Sequence, residues 1–161
     1  MATAAETIDF TDYSLQAKLI IWTDKTSGCH EWQGTKQTGG YGTFKFRGRV
    51  YLAHRVAWAF ANQADPGSYS VDHKCHNTSC VTPDHLRLAT SKQNAEHVLP
   101  VRAKSGFRGV HEHGTGWRAT VRHHGRAHHS KVFRTMEEAN AAAVTMRNSL
   151  YTHNLLDRQS A

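Results

Sequence analysis

The chain has 161 residues, 39% of them hydrophobic, with three prolines and no long apolar run, which excludes a membrane-spanning or disordered protein and leaves room for one ordinary domain or two small ones. Twenty Lys and Arg against thirteen Asp and Glu give a net charge of +7, so a polyanionic partner competes with a merely basic, solvated surface as the explanation. The excess is uneven, because residues 1 to 100 carry ten basic and nine acidic side chains and residues 101 to 161 ten and four; the two parts are expected to do different jobs.

The start, MATAAETIDF, lacks the basic and apolar segments of a signal peptide. Three cysteines, an odd count, fit thiolates kept reduced in a cytosol better than a disulfide framework. Residues 6 to 22 read as a short amphipathic lead-in, with Phe10, Leu15, Leu19 and Ile20 apolar among charges. In the next stretch Tyr41, Phe44 and Phe46 stand among glycines and basic residues and predict a hairpin turning at Arg47-Gly48-Arg49. AHRVAWAFANQ has helical spacing and meets no breaker before Pro66-Gly67, which predicts a helix of about three turns. Tyr69–Val71 and Leu86–Leu88 are short strand candidates around a polar loop, and Thr90 or Ser91 can cap a helix opening with SKQNAEH. The predicted order is strand, loop, strand, helix.

The character changes at VLPVRAKSG, which reads as a linker over 99–105. Beyond it come three alternating runs separated by glycines, Phe107–His111, Trp117–Arg122 and His129–Phe133. A long alanine-rich helix follows, with Thr135 three residues before Glu138 in capping-box spacing. Val132 and Phe133 are expected to pack on Ala139, Ala142 and Ala143.

The polar loop lies in DHKCHNTSCVTPDHL, residues 72 to 86. Cys75, Cys80 and His85 are spaced at fives, and with Cys29 they can make a closed, tetrahedral Cys3His site for structural Zn²⁺; the competing reading is three buried free thiols. His73, next to Asp72, stands where the first strand should end, and Asn94 near the start of the helix can face it. An imidazole beside a carboxylate and a carboxamide suits one hard cation and one activated water. Singly, these three residues read as an ordinary loop Asp, surface His and capping Asn.

The run VDHKCHNTSCVTPDHLRLATSKQN, preceded by a Cys, a Trp-x-Gly, GGYG and AHRVAW, resembles the HNH (His-Me finger, ββα-metal) endonucleases of phage and homing type, with a zinc loop similar to the His-Cys box enzymes. The resemblance covers about residues 28 to 97. It implies His73 as general base, Asn94 and Asp72 as ligands of a catalytic Mg²⁺ or Mn²⁺, and Cys29, Cys75, Cys80 and His85 as zinc ligands. His54 and Arg55 are either phosphate contacts or a structural pair. Thr82 departs from the pattern, since an asparagine usually precedes that proline. The tail, FRGVHEHGTGWRATVRHHGRAHHSKVFRTMEEANAAA, resembles an AP2/ERF DNA-binding domain, which implies Arg108, Arg118, Arg122 and Arg126 on or beside strands that lie in the major groove. Trp117 is expected on the sugar backbone or in the core.

The expected fold class is α+β, with a zinc-stapled ββα-metal nuclease domain at 28–98 after a lead-in at 1–27, and a three-stranded sheet packed on one helix at 106–161. The expected activity is hydrolysis of double-stranded DNA by a freestanding homing or nicking endonuclease, monomer or homodimer, in the cytoplasm and without a membrane. The alternative is a non-catalytic, zinc-containing, sequence-specific DNA-binding protein; an RNA-binding module is less supported, for want of an aromatic stacking platform.

Overall fold

The computed structural model describes residues 7–26, 28–97, 103–154 and 157–158. The start of the expected linker, 99–102, lies outside the described residues. The chain divides into two units, Met1–Ser91 and Lys92–Ala161.

In the first unit, Asp12 caps α1 (Tyr13–Ile21) by accepting from the backbone N–H groups of Ser14 and Leu15. Leu15 and Leu19 enter the core, whereas Ile20 is 51% exposed, so the expected lead-in is an integral helix of this unit and only part of its apolar stripe is covered. Two short strands, β1 (Thr23–Asp24) and β2 (Glu31–Trp32), pair antiparallel. The expected hairpin forms from β3 (Thr43–Phe46) and β4 (Arg49–Leu52), joined by Arg47 and Gly48 at positive φ, as a tight two-residue turn requires. It leads directly into α2 (Ala53–Asn62), which is buried from Ala53 to Phe60 save for Arg55.

The fully buried Trp32 explains the glycines around it: a Cβ on Gly34 or Gly42 would stand 2.6 or 2.5 Å from its ring. Its indole N–H donates to the Thr35 carbonyl at 3.0 Å. The core then runs from Leu15 and Trp32 through Phe44, Val56, Trp58 and Phe60 to Val71, Val81 and Leu86. On this base sit β5 (Ser70–His73), a 3₁₀ turn at Pro83–His85 and β6 (Leu86–Ala89), with α3 (Ser91–Glu96) following.

In the second unit, β7 (Val110–His113), β8 (Gly116–His123) and β9 (Arg126–Phe133) form an antiparallel sheet in the order β7-β8-β9. The helix α4 (Met136–Leu150) opens on the capping box of Thr135 and Glu138 and packs Ala139 and Ala143 on Val110 and Ala119. Trp117 and Phe133 join this core. Val132 does not: it pairs with Arg118 on the other face and is 46% exposed, because side chains alternate along a strand and only one of two neighbours can face the helix.

The division falls at Ser91/Lys92 rather than in the linker for a visible reason. Glu96 is buried and accepts from Lys92 and from the Thr152 N–H (3.0 Å), while Arg108 donates to the carbonyls of Ala95 (3.1 Å) and Glu96 (2.9 Å). Most of α3 is thereby tied to the second unit. No helix among the described residues is long and apolar enough to cross a membrane.

Candidate active site and metal centre

Two ladders shape the dense stretch. β5 and β6 pair from Ser70 with Ala89 to His73 with Leu86, and the Lys74 N–H donates to the His85 carbonyl at 2.8 Å, carrying the pairing one step beyond the strands. The second ladder joins 79–82 to 30–32: the Trp32 N–H donates to the Ser79 carbonyl (2.9 Å) and the Val81 N–H to the His30 carbonyl (2.7 Å). The His30 N–H donates to the Thr82 hydroxyl at 2.6 Å, so the threonine that departs from the expected pattern fastens the segment next to Cys29 to the loop. Between the ladders Asn77 pins the turn, donating to Glu31 Oε1 (2.8 Å) and accepting from the Ser79 N–H and hydroxyl.

Together the ladders bring Cys29, Cys75, Cys80 and His85 to one place, with ligand atoms all within 4.8 Å of one another. His85 Nδ1 is 3.5 Å from the Sγ atoms of both Cys29 and Cys80. A tetrahedral centre with Zn–S of about 2.3 Å and Zn–N of about 2.0 Å separates sulfur from nitrogen by about 3.5 Å, so the geometry fits that ion. Electrostatics agree: burial, with the neighbouring thiols adding, pushes the Cys75 thiol up to about 12 and also raises Cys29. Crowded thiols such as Cys29 and Cys75 resist ionising unless a cation neutralises them.

His73 ends β5 and is buried at 5% exposure. Its Nε2 lies 3.0 Å from the Cys80 carbonyl. A carbonyl can only accept, so Nε2 carries the hydrogen and the neutral ring keeps its lone pair on Nδ1. Burial, opposed by the Cys80 carbonyl and Asp72, holds its pKa below the ordinary histidine value. Beside it stand His54, with ring centroids 4.7 Å apart, and Tyr41 at 5.9 Å. His54 is 5% exposed, and burial, aided by the nearby His73 and Arg55, lowers its pKa to about 3. It therefore has the surroundings of a buried neutral wall of the site, not of a phosphate contact.

Asp72 is occupied in a way the sequence expectation omitted. Arg87, its cross-strand partner, sets Nε 2.9 Å and Nη2 2.8 Å from Asp72 Oδ2, and a cation on that oxygen would compete with the guanidinium. The pairing has a sequence signal, since opposite charges facing across a hairpin attract. Asn94 lies on α3, past the division of the chain.

The five arginines expected at DNA separate by use. Arg55 donates to the carbonyls of Tyr69 and Gly67, both at 2.7 Å, and clamps the loop before β5. Arg108 caps α3, as described, rather than standing on a strand. Arg118 and Arg122 lie on the sheet face away from α4, Arg118 half-buried and Arg122 exposed. Arg126 is exposed but pairs with His123, so alternation turns it to the opposite face from Arg122.

Residues 51–96 match the family model described as HNH endonuclease. That span carries Asp72, His73, Cys75, Cys80, His85 and Asn94 and leaves out Cys29. The chain is 37% identical over 86 residues to "Protein 2.8" of Escherichia phage T7, covering 52% of this chain and 58% of that protein. It is 32% identical over 71 residues to "Protein 7.7" of the same phage, covering 44% of this chain and 55% of that protein. The chain thus spans less than two thirds of the length of these relatives. No solved structure matches it.

Proposed function

We propose that the protein is a metal-dependent DNA endonuclease of homing or nicking type, with His73 as general base, Asp72 and Asn94 as ligands of a catalytic Mg²⁺ or Mn²⁺, and structural Zn²⁺ on Cys29, Cys75, Cys80 and His85. The observation that carries this reading is the bond between His73 Nε2 and the Cys80 carbonyl. One cysteine contributes its sulfur to the metal cluster and its carbonyl to the histidine, so the closed cluster fixes the ring and leaves Nδ1 as the proton acceptor.

In hydrolysis Nδ1 removes a proton from the attacking water, and the His73 ring stays in place because its other nitrogen is tied to the backbone. The divalent cation supplies charge stabilisation at the phosphate and the leaving oxygen when bound. Arg87, by holding Asp72 Oδ2, orients that carboxylate. The second unit serves as the AP2-like DNA-binding module, gripping double-stranded DNA through Arg118 and Arg122. The protein works as a monomer or homodimer in the host-cell cytoplasm.

The test is incubation of supercoiled plasmid with purified protein, with and without Mg²⁺ or Mn²⁺, followed by separation of nicked and linear forms. Metal-dependent nicking or cutting supports the reading. Supercoiled DNA unchanged under all conditions by folded, zinc-loaded protein rejects it.

A further inference from the structure

The β7–β9 sheet has an unusual ionisable composition: between Val110 and Phe133 stand six histidines, four Arg or Lys and one carboxylate, Glu112. Pairing sorts them by face. His111 pairs with Arg118, Thr120 with His129 and Arg122 with Ala127, all on the face away from α4. His113 shares that face at the end of β7, and Val132 lies beside Arg118. Glu112 pairs with Trp117 and so alternates to the other face. The open face therefore holds three histidines and two arginines and no carboxylate among the described residues.

These side chains are organised. The Thr120 hydroxyl lies 3.3 Å from His111 Nε2 and 3.0 Å from His129 Nδ1, linking all three strands, and Arg118 Nη1 is 3.4 Å from His113 Nε2. Both linked imidazoles are exposed. A hydroxyl has one hydrogen and two lone pairs. While either ring nitrogen lacks its hydrogen, the Thr120 hydrogen is drawn to it. When both rings are protonated, both donate to the oxygen and the hydroxyl hydrogen is freed for an acceptor above the sheet.

We propose that the open face binds the phosphodiester backbone of duplex DNA through protonated His111 and His129 together with Arg118 and Arg122, so that its grip tightens as pH falls below neutrality. The inference rests on reading the second unit as the DNA-binding module. The basic groups around His111 are Arg118 on β8, His129 on β9 and His113 on its own strand. In the free protein, partial burial first and then the repulsion of Arg118 and the neighbouring imidazoles hold His111 below the ordinary histidine value. A phosphate laid across the face cancels the repulsion, so binding takes up protons, and lower pH favours the complex.

The test uses the full chain and a labelled 25-base-pair duplex without added divalent metal, measuring affinity by anisotropy over a salt series at pH 8.0 and pH 6.0. The expected result is roughly tenfold tighter binding at pH 6.0, with the slope of log K on log salt steeper by about 1 to 2. H111Q/H129Q should lose most of the gain in affinity that the parent shows between pH 8.0 and pH 6.0. Both proteins share every other titrating group, so the difference isolates these two. A parent with no gain, or a double variant with the parental gain, overturns the proposal. If the double variant melts below the parent, His129→Gln alone carries the comparison with about half the effect. The underlying reading fails separately: if Arg118→Ala and Arg122→Ala leave affinity and salt slope unchanged at pH 8.0, this face does not contact DNA at all. Weakening by the arginine changes without an effect of the histidine pair rejects the histidine inference alone.

Discussion

His54 and His73 face each other with ring centroids 4.7 Å apart, yet burial gives them different consequences. His54 has a buried Nδ1 without a hydrogen-bond partner among the described residues and a pKa lowered to about 3. The unfolded chain protonates this residue near 6.5 and the folded one does not, so acid favours unfolding. Its contribution is complete above about pH 6.5 and is lost progressively as pH falls toward about 3, amounting to roughly 2 kcal/mol by pH 5. Urea unfolding at pH 7 and pH 5 should therefore show the parent losing about 2 kcal/mol more than His54→Phe; equal losses would contradict it. His73→Ala should reduce cleavage by about 10²- to 10⁴-fold while zinc content and DNA affinity hold, measured by plasmid nicking and elemental analysis. Sequence placed His73 at a strand end because a short apolar strand runs into the loop. It left His54 open between phosphate contact and structural pair, because the choice depends on Tyr41 and His73, which arrive from distant parts of the chain. The Asp72–Arg87 pair went unread although both residues sit at matched positions of one hairpin.

The loop between β5 and β6 has little apolar surface of its own and is held by backbone ladders, Asn77 and the proposed metal. Cys75→Ser removes one of four ligands and leaves thiols crowded without a closed site. The expected outcome is loss of about one zinc per chain, a lower melting temperature and cleavage close to that of His73→Ala, because the Cys80 carbonyl no longer holds the base in place. The two variants then differ in zinc content and in melting temperature. A Cys75→Ser protein that keeps its zinc and full cleavage would break the link between cluster and base. Cys29 shows what spacing conveys and what it does not. Its being the remaining thiol is evident in the sequence, whereas the ladder from His30 to Val81 that delivers it follows from β2 pairing with a loop fifty residues away. Strand limits were misjudged for local reasons: the run expected from Phe107 begins only at Val110, since Gly109 at φ +77 breaks the extended chain and a Cβ there would meet the Thr120 carbonyl at 2.6 Å. Periods of two and the capping box at Thr135 were readable because they depend on neighbours in sequence.

Across the whole chain the charge asymmetry follows the observed division: Met1–Ser91 has nine Lys or Arg against eight Asp or Glu, and Lys92–Ala161 has eleven against five. Net charge predicts attraction to DNA but cannot say which cations supply it, and the arginines divide into those spent on the fold and those left in solvent. Arg108 gives hydrogen bonds to the carbonyls of Ala95 and Glu96 and lies over the Tyr151 ring, 5.6 Å from its centroid; burial is the main cause lowering its pKa. Replacing it with alanine should cost about 1.5 to 3 kcal/mol of stability, the range for hydrogen bonds to a charged group. The salt dependence of DNA binding should stay as in the parent, because that guanidinium faces protein. Arg122 is exposed on the open sheet face, and its alanine variant should do the reverse: melting unchanged within about 0.5 kcal/mol and a salt slope shallower by about 0.9 for one lost phosphate contact. Thermal melts and anisotropy at several salt concentrations on the two variants side by side check both halves. A shallower slope for Arg108→Ala with an unchanged melt would mean that its guanidinium leaves α3 to meet DNA, and the separation of structural from DNA-facing arginines would be wrong.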